Sequence, residues 1–490
     1  MRRVLPFVLL VAAAPGCGPS APAGAAGSGG AGGSGGASGA GGAGGTGGAG
    51  GAAGRGGAGG GGVGGGGAGA PGGAGGMAGG IPGRILLGDL AFYDVSADGA
   101  WIVFRDVIRN KQAQVARRMP GQIPIELANN SAVARFDGTV ALGISDSMDY
   151  ENGTLFAWAP GQSGPTMLDA NVRLARAVAS PDAMRVAYFT GTGTVSVVRA
   201  MTAGGGRQVL AMGSTRGCTR LAYGQGALVA VTCDGSERQS LSIFHDDGMR
   251  EDLVAGTLGG FALSPDRRKL AWTDGMGLAI RDLQRGAQAA RPDPMADADV
   301  RWSTDGTFVA YRQVSRIMKV AAGGGMPSML AANGSGVLAV APQGTLYGRM
   351  TGGDLTDVYF TPDVALLTRA AAASPVLGKD GAFAAWIESP DAMGVGSAVV
   401  ASTSGRPESL STTSAHVALA AGGKVLWDDM FDTVNYRGAL MVRPAAGGAA
   451  TMMATPVNGW ALVPPTYDEV VYSVSGSPFT GDGMYSRPLP

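Results

Sequence analysis

The chain has 490 residues, of which 45% are hydrophobic and only 15% are charged, and its formal net charge is zero. Removing the three basic residues that precede Arg84 leaves 34 basic residues against 37 acidic ones, so the rest of the chain carries a net charge of −3. This balance offers no basic surface to a polyanion and excludes nucleic acid as an expected partner. The length suits one large repeat architecture or two to three ordinary domains.

The N-terminus has the composition of a bacterial export signal. Two arginines precede an eleven-residue apolar segment, residues 4–14, which is too short to span a bilayer. The sequence A-P-G-C ending at Cys17 resembles the lipobox of bacterial lipoproteins. That resemblance implies that residues 1–16 are a cleaved signal peptide and that the Cys17 thiol is lipidated. Secretion after an ordinary cleavage nearby is the alternative.

The residue after the cysteine bears on the expected location. Gly18 stands where an aspartate would direct retention in the inner membrane. We therefore expect a lipid-anchored protein of the cell envelope at the outer membrane, either periplasmic or surface-exposed. Two or more acyl chains would make such an anchor stable.

Residues 17–82 are predicted to form a disordered, lipid-anchored tether. Between residues 27 and 80, 34 of 54 positions are glycine, and most of the others are alanine or serine. Such a low-complexity segment has nothing apolar to bury and would lose much conformational entropy on ordering. As a flexible coil of these 54 residues it would span an r.m.s. distance of about 40 Å. It would hold a folded head away from the membrane.

Residues 83–490 contain a repeated hairpin. Its five clearest copies begin at Ser96, Ser180, Ser264, Ser303 and Gly378. The intervals of 84, 84, 39 and 75 residues are close to one or two units of about 40, and degenerate copies bring the number of modules to ten. Each module contains four short strand-like runs, which is the pattern of a propeller blade. The sequence therefore predicts an all-β fold, a β-propeller of about ten four-stranded blades.

The two ends of the repeat region predict how the propeller closes. The tenth module ends after its third strand, and an additional strand-like run at residues 84–90 precedes the first module. An open edge strand would expose unpaired backbone groups, so we expect residues 84–90 to pair with residues 483–489 in the last blade. A simple lead-in strand is the alternative. Because the first and last strands would share the final sheet, a single ring is favoured over two smaller rings. A ring of ten blades would enclose a broad tunnel.

The repeated turns carry an aspartate with a predicted structural role. In S-P-D-G the carboxylate accepts hydrogen bonds from nearby backbone N–H groups, proline presets φ, and glycine allows a positive φ. The residues concerned are Asp98, Asp182, Asp266, Asp305 and Asp380. A cluster of catalytic carboxylates is the alternative interpretation.

The S-P-D-G core followed by an apolar-aromatic strand resembles the TolB-type, WD40-like (PD40) β-propeller repeats. The resemblance covers the chain from Arg84 onward. It implies a propeller fold and leaves the function open. Related propellers also precede peptidase domains, but from Arg84 onward the sequence has no G-x-S-x-G elbow, since the G-Q-S-G-P run at Gly161 lacks its spacing.

The histidines and cysteines predict little metal or cofactor chemistry. His245 and His416 are the only histidines, and they are not spaced as metal ligands, so we expect neither a metal nor a cofactor. Cys218 and Cys233 flank a hairpin and predict a cross-strand disulfide in an oxidising compartment. Two buried thiols are the alternative.

Three charged segments are predicted in loops between second and third strands, on one rim of the propeller. They contain Asp146, Asp149 and Glu151; Asp428, Asp429 and Asp432; and Arg105, Arg109 and Lys111. One hypothesis is a rim that orients a protein, peptide or glycan ligand. Solvated loops and a cation site are the alternatives, although neither acidic segment has the D-x-D-x-D-G calcium spacing.

These features together predict a binding or scaffolding lipoprotein, monomeric and not an enzyme, that presents a surface to envelope proteins, peptides or glycans. A propeller enzyme, a glycan lyase or hydrolase with its active site in the central tunnel, is the main alternative. A structural surface protein is the third. An acid, a base and a positioned polar group converging in the tunnel would favour the enzyme.

Overall fold

A computed structural model describes residues 83–106, 112–129, 133–145, 152–190, 194–199, 207–211, 219–233, 238–351, 354–360, 365–368, 372–402, 406–476 and 481–490. Its regular elements are 39 β-strands and one 3-10 turn, η1 (Leu174–Arg176). None of the helical structure in these ranges is long enough to cross a membrane. The predicted signal peptide and tether, residues 1–82, lie outside the described residues.

The strands, beginning with β1 (Arg84–Leu87), form eight four-stranded antiparallel sheets and one seven-stranded sheet that includes β1. Each four-stranded sheet is called a blade here, and its strands follow one another in chain order. Blades 1 to 4 contain β2 (Leu90–Val95), β3 (Trp101–Asp106), β4 (Ala113–Arg117) and β5 (Ile125–Ala128); β6 (Val133–Asp137), β7 (Val140–Ser145), β8 (Asn152–Trp158) and β9 (Thr166–Arg173); β10 (Val178–Ala179), β11 (Arg185–Phe189), β12 (Val195–Arg199) and β13 (Gln208–Ala211); and β14 (Arg220–Gly224), β15 (Ala227–Cys233), β16 (Gln239–His245) and β17 (Arg250–Gly256).

The next four blades repeat this arrangement. Blades 5 to 8 contain β18 (Leu258–Leu263), β19 (Lys269–Asp274), β20 (Gly277–Asp282) and β21 (Ala290–Asp293); β22 (Ala298–Trp302), β23 (Phe308–Gln313), β24 (Arg316–Ala321) and β25 (Ser328–Ala331); β26 (Gly336–Ala341), β27 (Gly344–Thr351), β28 (Asp354–Phe360) and β29 (Ala365–Thr368); and β30 (Ala372–Leu377), β31 (Phe383–Glu388), β32 (Gly396–Ser402) and β33 (Glu408–Ser414).

The seven-stranded sheet consists of two blades that share one long strand. It contains β34 (Val417–Ala420), β35 (Lys424–Asp432), β36 (Arg437–Pro444), β37 (Thr451–Leu462), β38 (Glu469–Val474), β39 (Gly483–Pro488) and β1. The first part of β37 pairs with β36, and its second part, from Val457, pairs with β38. Blade 9 is β34 to β37, and blade 10 is β37, β38, β39 and β1. Counting β37 twice gives ten four-stranded units in the described residues.

The first described strand closes the last blade. β1 pairs antiparallel with β39, with Arg84 opposite Tyr485 and Leu87 opposite Gly483. Ile85 and Leu86 of this strand are buried, whereas Leu87 is exposed. The two ends of the repeat region are therefore held together by a backbone ladder and by apolar burial.

The core lies between the blades. Ten clusters of buried apolar side chains each join two consecutive blades, and the last of them joins blade 10 to blade 1. Short strands rich in valine, alanine and aromatic residues supply these faces, since alternate side chains of a strand point toward opposite neighbours. Burying each large apolar side chain contributes about 1.5–3 kcal/mol. Packing therefore runs from blade to blade and returns to its start, as one ring requires.

The turn between the first and second strands, called the first turn, explains the repeated sequence. In blade 5 the Ser264 hydroxyl donates a hydrogen bond of 2.5 Å to Asp266, and the backbone N–H of Arg268 donates one of 3.1 Å to the same oxygen. Ser264 Oγ also accepts a hydrogen bond of 2.9 Å from the Lys269 N–H. Equivalent carboxylate contacts are made by Asp98, Asp182, Asp305 and Asp380. Each aspartate therefore supplies a hydrogen-bond acceptor for a backbone N–H group of the exposed turn.

The first turns also approach one another near the axis. The Thr304 hydroxyl of blade 6 donates a hydrogen bond of 3.1 Å to the carbonyl of Lys379 in blade 8. Arg267 of blade 5 forms an ion pair of 3.5 Å with Asp137 of blade 2, and both side chains are largely buried. The sequence predicts a broad tunnel, whereas these two contacts join first turns of blades that are not adjacent in the ring.

Candidate functional site

A cleft of about 380 Å³ lies between blades 4 and 5, and we call it the blade 4/5 groove. One wall is β17, with Glu251 and Asp252. The other comprises Trp272 of β19, Arg281 of β20 and the segment that leads to Arg291 of β21. The walls belong to different blades, so only the packing of one blade on the next creates the groove.

Glu251, on the first wall, is the centre of a network that joins the two walls. Its carboxylate accepts hydrogen bonds from Arg281 Nη1 at 2.9 Å and from the Gly286 N–H at 3.1 Å, and it contacts His245 Nε2 at 2.8 Å. Burial opposes the charged form, but these hydrogen bonds outweigh it and lower the pKa of Glu251 to about 2. The Arg281 side chain is only 5% exposed, so the network is fixed in position.

A second polar pair extends the same wall toward solvent. Asp252 accepts a hydrogen bond of 2.6 Å from the Ser242 hydroxyl and one of 2.7 Å from Arg250 Nε. Burial acts against the charge, and the two hydrogen bonds overcome it, so the pKa of Asp252 lies below its usual value. The carboxylate therefore stays ionised at neutral pH at the edge of the groove.

The opposite wall combines a charge pair with an aromatic ring. Arg291 donates two parallel hydrogen bonds of 2.9 Å to Asp274, which also accepts a bond of 2.9 Å from the Trp272 indole N–H. The Arg291 guanidinium lies 6.0 Å from the centroid of the Trp272 ring. Bidentate pairing and ring contact hold the guanidinium plane in one orientation. The groove thus presents ordered positive and negative groups beside apolar residues such as Leu253 and Ala287.

Each of the two histidines has one carboxylate partner. His245 contacts Glu251, as described above. His416 Nδ1 lies 2.7 Å from Asp428, whose other oxygen accepts hydrogen bonds from the N–H groups of Ala415 and His416. Burial lowers the pKa of His416, but the Asp428 carboxylate raises it by more, so the pKa lies above its usual value. These hydrogen bonds link the residues just before β34 to β35.

Asp94 of β2, a first strand, has a raised pKa. Burial raises it to about 6, against the effect of hydrogen bonds from the N–H groups of Val95 and Phe136. Perturbed carboxyls mark functional sites in many proteins. One carboxylate oxygen of Asp94 accepts a hydrogen bond from the next residue of its own strand, and the other accepts one from Phe136 in blade 2. Asp94 therefore links two blades.

The predicted charged rim has a different arrangement in the structure. Asp428 and Asp429 lie inside β35 and not in the loop that follows it. Asp428 is buried against His416, and Asp429 accepts a hydrogen bond of 2.6 Å from Ser411. β35 extends to Asp432, and its pairing with β36 includes both residues, with Asp428 opposite Leu440 and Asp429 opposite Ala439. Only Asp432 is at the turn, where it accepts bonds from the Val434 and Asn435 N–H groups.

The other members of that rim are mostly beyond the part of the chain that the structure describes. Asp146, Asp149, Glu151, Arg109 and Lys111 lie outside the described residues. Arg105 is in β3, where it contacts Tyr93. The sequence-based rim is therefore not assembled by the described residues.

Cys233 lies at the end of β15, is buried and is disulfide-bonded. Cys218 lies outside the described residues, as does Cys17. In the hairpin of β14 and β15, Arg220 is opposite Val231 and Gly224 is opposite Ala227. A register that continued two residues past Arg220 would bring position 218 opposite Cys233, so the pairing stays a prediction that this hairpin supports.

In the described ranges, no three side chains of His, Cys, Asp or Glu gather so as to hold a metal ion. The groove was not predicted from the sequence because Glu251, Arg281 and Arg291 belong to no local motif, and Trp272 belongs to a repeated strand that by itself indicates only the fold. The signal available was the charge density of R-E-D at Arg250 beside an aromatic strand of the next module. Chemically, the groove can exchange hydrogen bonds with a polar ligand through carboxylates and guanidiniums.

No known protein family and no curated protein match this chain. Solved structures are similar to it at low identity. A eukaryotic initiation factor shares 11% identity over 76% of this chain and 88% of its own, with a TM-score of 0.44. The C-terminal WD40 domain of Sif2 shares 9% identity over 83% and 99%, with a TM-score of 0.37. An oligogalacturonate lyase in complex with manganese shares 11% identity over 66% and 88%, with a TM-score of 0.33.

These similarities concern the fold alone. The chain folds as a β-propeller, which its own antiparallel sheets show directly. The matched proteins differ in what their names describe, so we infer no activity from them.

Proposed function

We propose that this protein is a lipid-anchored β-propeller of the cell envelope that binds a protein or glycan ligand in the blade 4/5 groove. The single observation that carries the proposal is the groove itself, about 380 Å³ with ordered charges on both walls. Mixed carboxylates and guanidiniums suit a ligand that both donates and accepts hydrogen bonds, such as a peptide or a sugar chain.

We place the protein among TolB-type propellers that bind rather than catalyse. The acids and bases of the groove serve one another: Glu251 binds Arg281, and Asp274 binds Arg291. A general acid or base would need a proton to exchange with a substrate. This pairing favours recognition and supports a non-enzymatic role.

The binding proposal is tested with the full chain in an envelope pull-down followed by identification of co-purified molecules. Ala289 is exposed and borders the groove, so Ala289→Arg would obstruct it. Ala332, which is exposed just after β25 of blade 6, provides the matched control Ala332→Arg. We expect Ala289→Arg to lose a partner that the wild type and Ala332→Arg retain. Equal recovery from all three proteins would contradict a role for the groove.

The anchor is tested separately. Cys17→Ser removes the thiol that the lipobox resemblance marks for acylation. We expect the wild type in the membrane fraction and the variant in the soluble envelope fraction, with no change in the thermal unfolding temperature of the head. A variant that stays membrane-bound would contradict the lipid anchor and leave the groove experiment valid.

A further inference from the structure

The strand that forms one wall of the blade 4/5 groove is also the outermost strand of its blade. In the described sheets, β17 pairs with β16 and with no other strand. Glu251 and Asp252 are consecutive in β17, so their side chains leave opposite faces of the sheet, yet both residues line the groove. The groove therefore lies along the free edge of β17 and not over one face of blade 4.

The register of β17 shows which backbone groups point toward this edge. The His245 N–H donates a hydrogen bond of 2.8 Å to the Met249 carbonyl, and bonded and non-bonded pairs alternate along an antiparallel ladder. Glu251, two residues after Met249, is therefore bonded to β16. Arg250 and Asp252 direct their N–H and C=O groups away from β16, and among the described residues nothing hydrogen-bonds to these groups.

Side chains that line the groove also have unused hydrogen-bonding positions. Ser242 and Arg250 both bind Oδ1 of Asp252, whose side chain is 61% exposed, and no described residue binds its Oδ2. On the opposite wall Gln288 is exposed, and its amide has no partner in the described part of the chain. Arg291 uses only two of its five N–H groups in its ion pair. An acceptor thus lies beside the free backbone edge, with donors on the other wall.

We propose that the ligand of the blade 4/5 groove is an extended peptide segment of a protein partner, which adds to β17 as a fifth strand and places a lysine or arginine against Asp252. This inference rests on the proposed binding role of the groove and narrows its ligand class. An added strand pairs its backbone with an exposed sheet edge, and its alternate side chains provide specificity. A sugar chain has no such ladder of donors and acceptors, so the free edge favours a peptide. The basic side chain follows from the unpaired Oδ2 of Asp252.

The test begins with random heptapeptides displayed on phage, selected on the full wild-type chain and counter-selected on Ala289→Arg, which obstructs the groove. We expect the selected peptides to contain a basic residue. A selected peptide is then synthesised with an N-methyl group at each backbone position in turn, and fluorescence anisotropy measures each affinity. Binding should weaken only at alternate positions, because every second N–H of an edge-paired strand faces its partner.

A matched pair of variants tests the charge. Asp252→Asn should weaken the selected peptide at least about fivefold, because a charge-assisted hydrogen bond becomes a neutral one. Asp282 forms an ion pair of 2.9 Å with Lys269, is 51% exposed and is not a lining residue of the groove. Asp282→Asn is therefore the control and should change the affinity less than about twofold. Equal effects of the two variants would overturn the contact with Asp252.

Hydrogen exchange read by mass spectrometry needs no variant. Fragments that cover β17 should exchange more slowly with the selected peptide bound, whereas fragments that cover β33, the outer strand of blade 8, should not change. Binding that tolerates N-methylation at every position would overturn strand addition. So would a failure to select any peptide that distinguishes the wild type from Ala289→Arg, since the charges of β17 would then serve only to keep other chains from its edge. A glycan recovered through the groove in the envelope pull-down would overturn the peptide and leave the proposed function intact.

Discussion

Two junctions between blades, the closing junction of blades 10 and 1 and the junction of blades 4 and 5, are built differently. At the closing junction Leu86, Phe92 and Met484 are buried in one apolar cluster. At the other, an apolar cluster lies on the inside, but the outer part opens into a groove lined by charged side chains such as Glu251. Burial stabilises strongly, and ion pairs beside water contribute little. The first junction therefore holds the ring closed, and the second places paired charged side chains beside an open cleft.

The largest expected effect breaks the closing junction. Leu86→Ala removes a buried side chain from the strand that closes blade 10, and we expect it to lower the free energy of unfolding by about 2–5 kcal/mol. Leu87 is the next residue and is 69% exposed, so Leu87→Ala should change it by less than about 0.5 kcal/mol. Urea unfolding of both variants checks this. Equal losses would mean that β1 does not contribute through burial.

The next effect concerns blade 4, which forms one wall of the groove. Cys233 is disulfide-bonded, and a bond to Cys218 would close a short loop that stabilises by about 3 kcal/mol. We expect Cys218→Ser, Cys233→Ser and the double variant to lose similar stability in thermal unfolding. Adding reductant should lower the unfolding temperature of the wild type to theirs. A Cys218→Ser protein as stable as the wild type would contradict the pairing.

A smaller effect is expected for the coupling free energies of ion pairs near the two junctions. Arg118 and Glu469 join blade 1 to blade 10, with side chains 20% and 27% exposed, whereas Arg250 and Asp252 beside the groove are 46% and 61% exposed. Double-mutant cycles should give a coupling free energy of about 1 kcal/mol for the first pair and about 0.3 kcal/mol for the second. A larger coupling free energy for Arg250 and Asp252 than for Arg118 and Glu469 would contradict the view that the closing junction contributes more to stability.

The smallest effect is a pH dependence at the groove. The pKa of Glu251 is about 2 against an ordinary value of 4.5, so its stabilising contribution is present above about pH 4.5 and is lost as the pH falls toward 2. Glu251→Gln should remove this part of the pH dependence and cost less than about 1 kcal/mol at pH 7, because the side chain borders water. Unfolding free energies between pH 7 and pH 3 test it, with Glu126→Gln, at an exposed glutamate of β5, as the control. An unchanged pH profile would contradict the network around Glu251.

The first turns show how much of this fold could be predicted. Asp266 and its equivalents act through backbone groups one or two residues away, so a short repeated motif is sufficient to indicate them. The strand at Arg84 was predictable because the last module lacks a fourth strand and an open edge needs a partner. The charged rim was less predictable, since Asp428 and Asp429 belong to a strand whose length depends on pairing with β36.

By itself the amino-acid sequence determined the strand repeat, its turns and the closing partner, because these depend on local hydrogen bonds and on a period of about 40 residues. Only the tertiary structure decided which charged side chains meet. Arg281 reaches Glu251 and Arg267 reaches Asp137 across blade boundaries, through contacts between residues 30 to 130 positions apart. No local pattern specifies such pairs, since they depend on how each sheet twists and packs on the next.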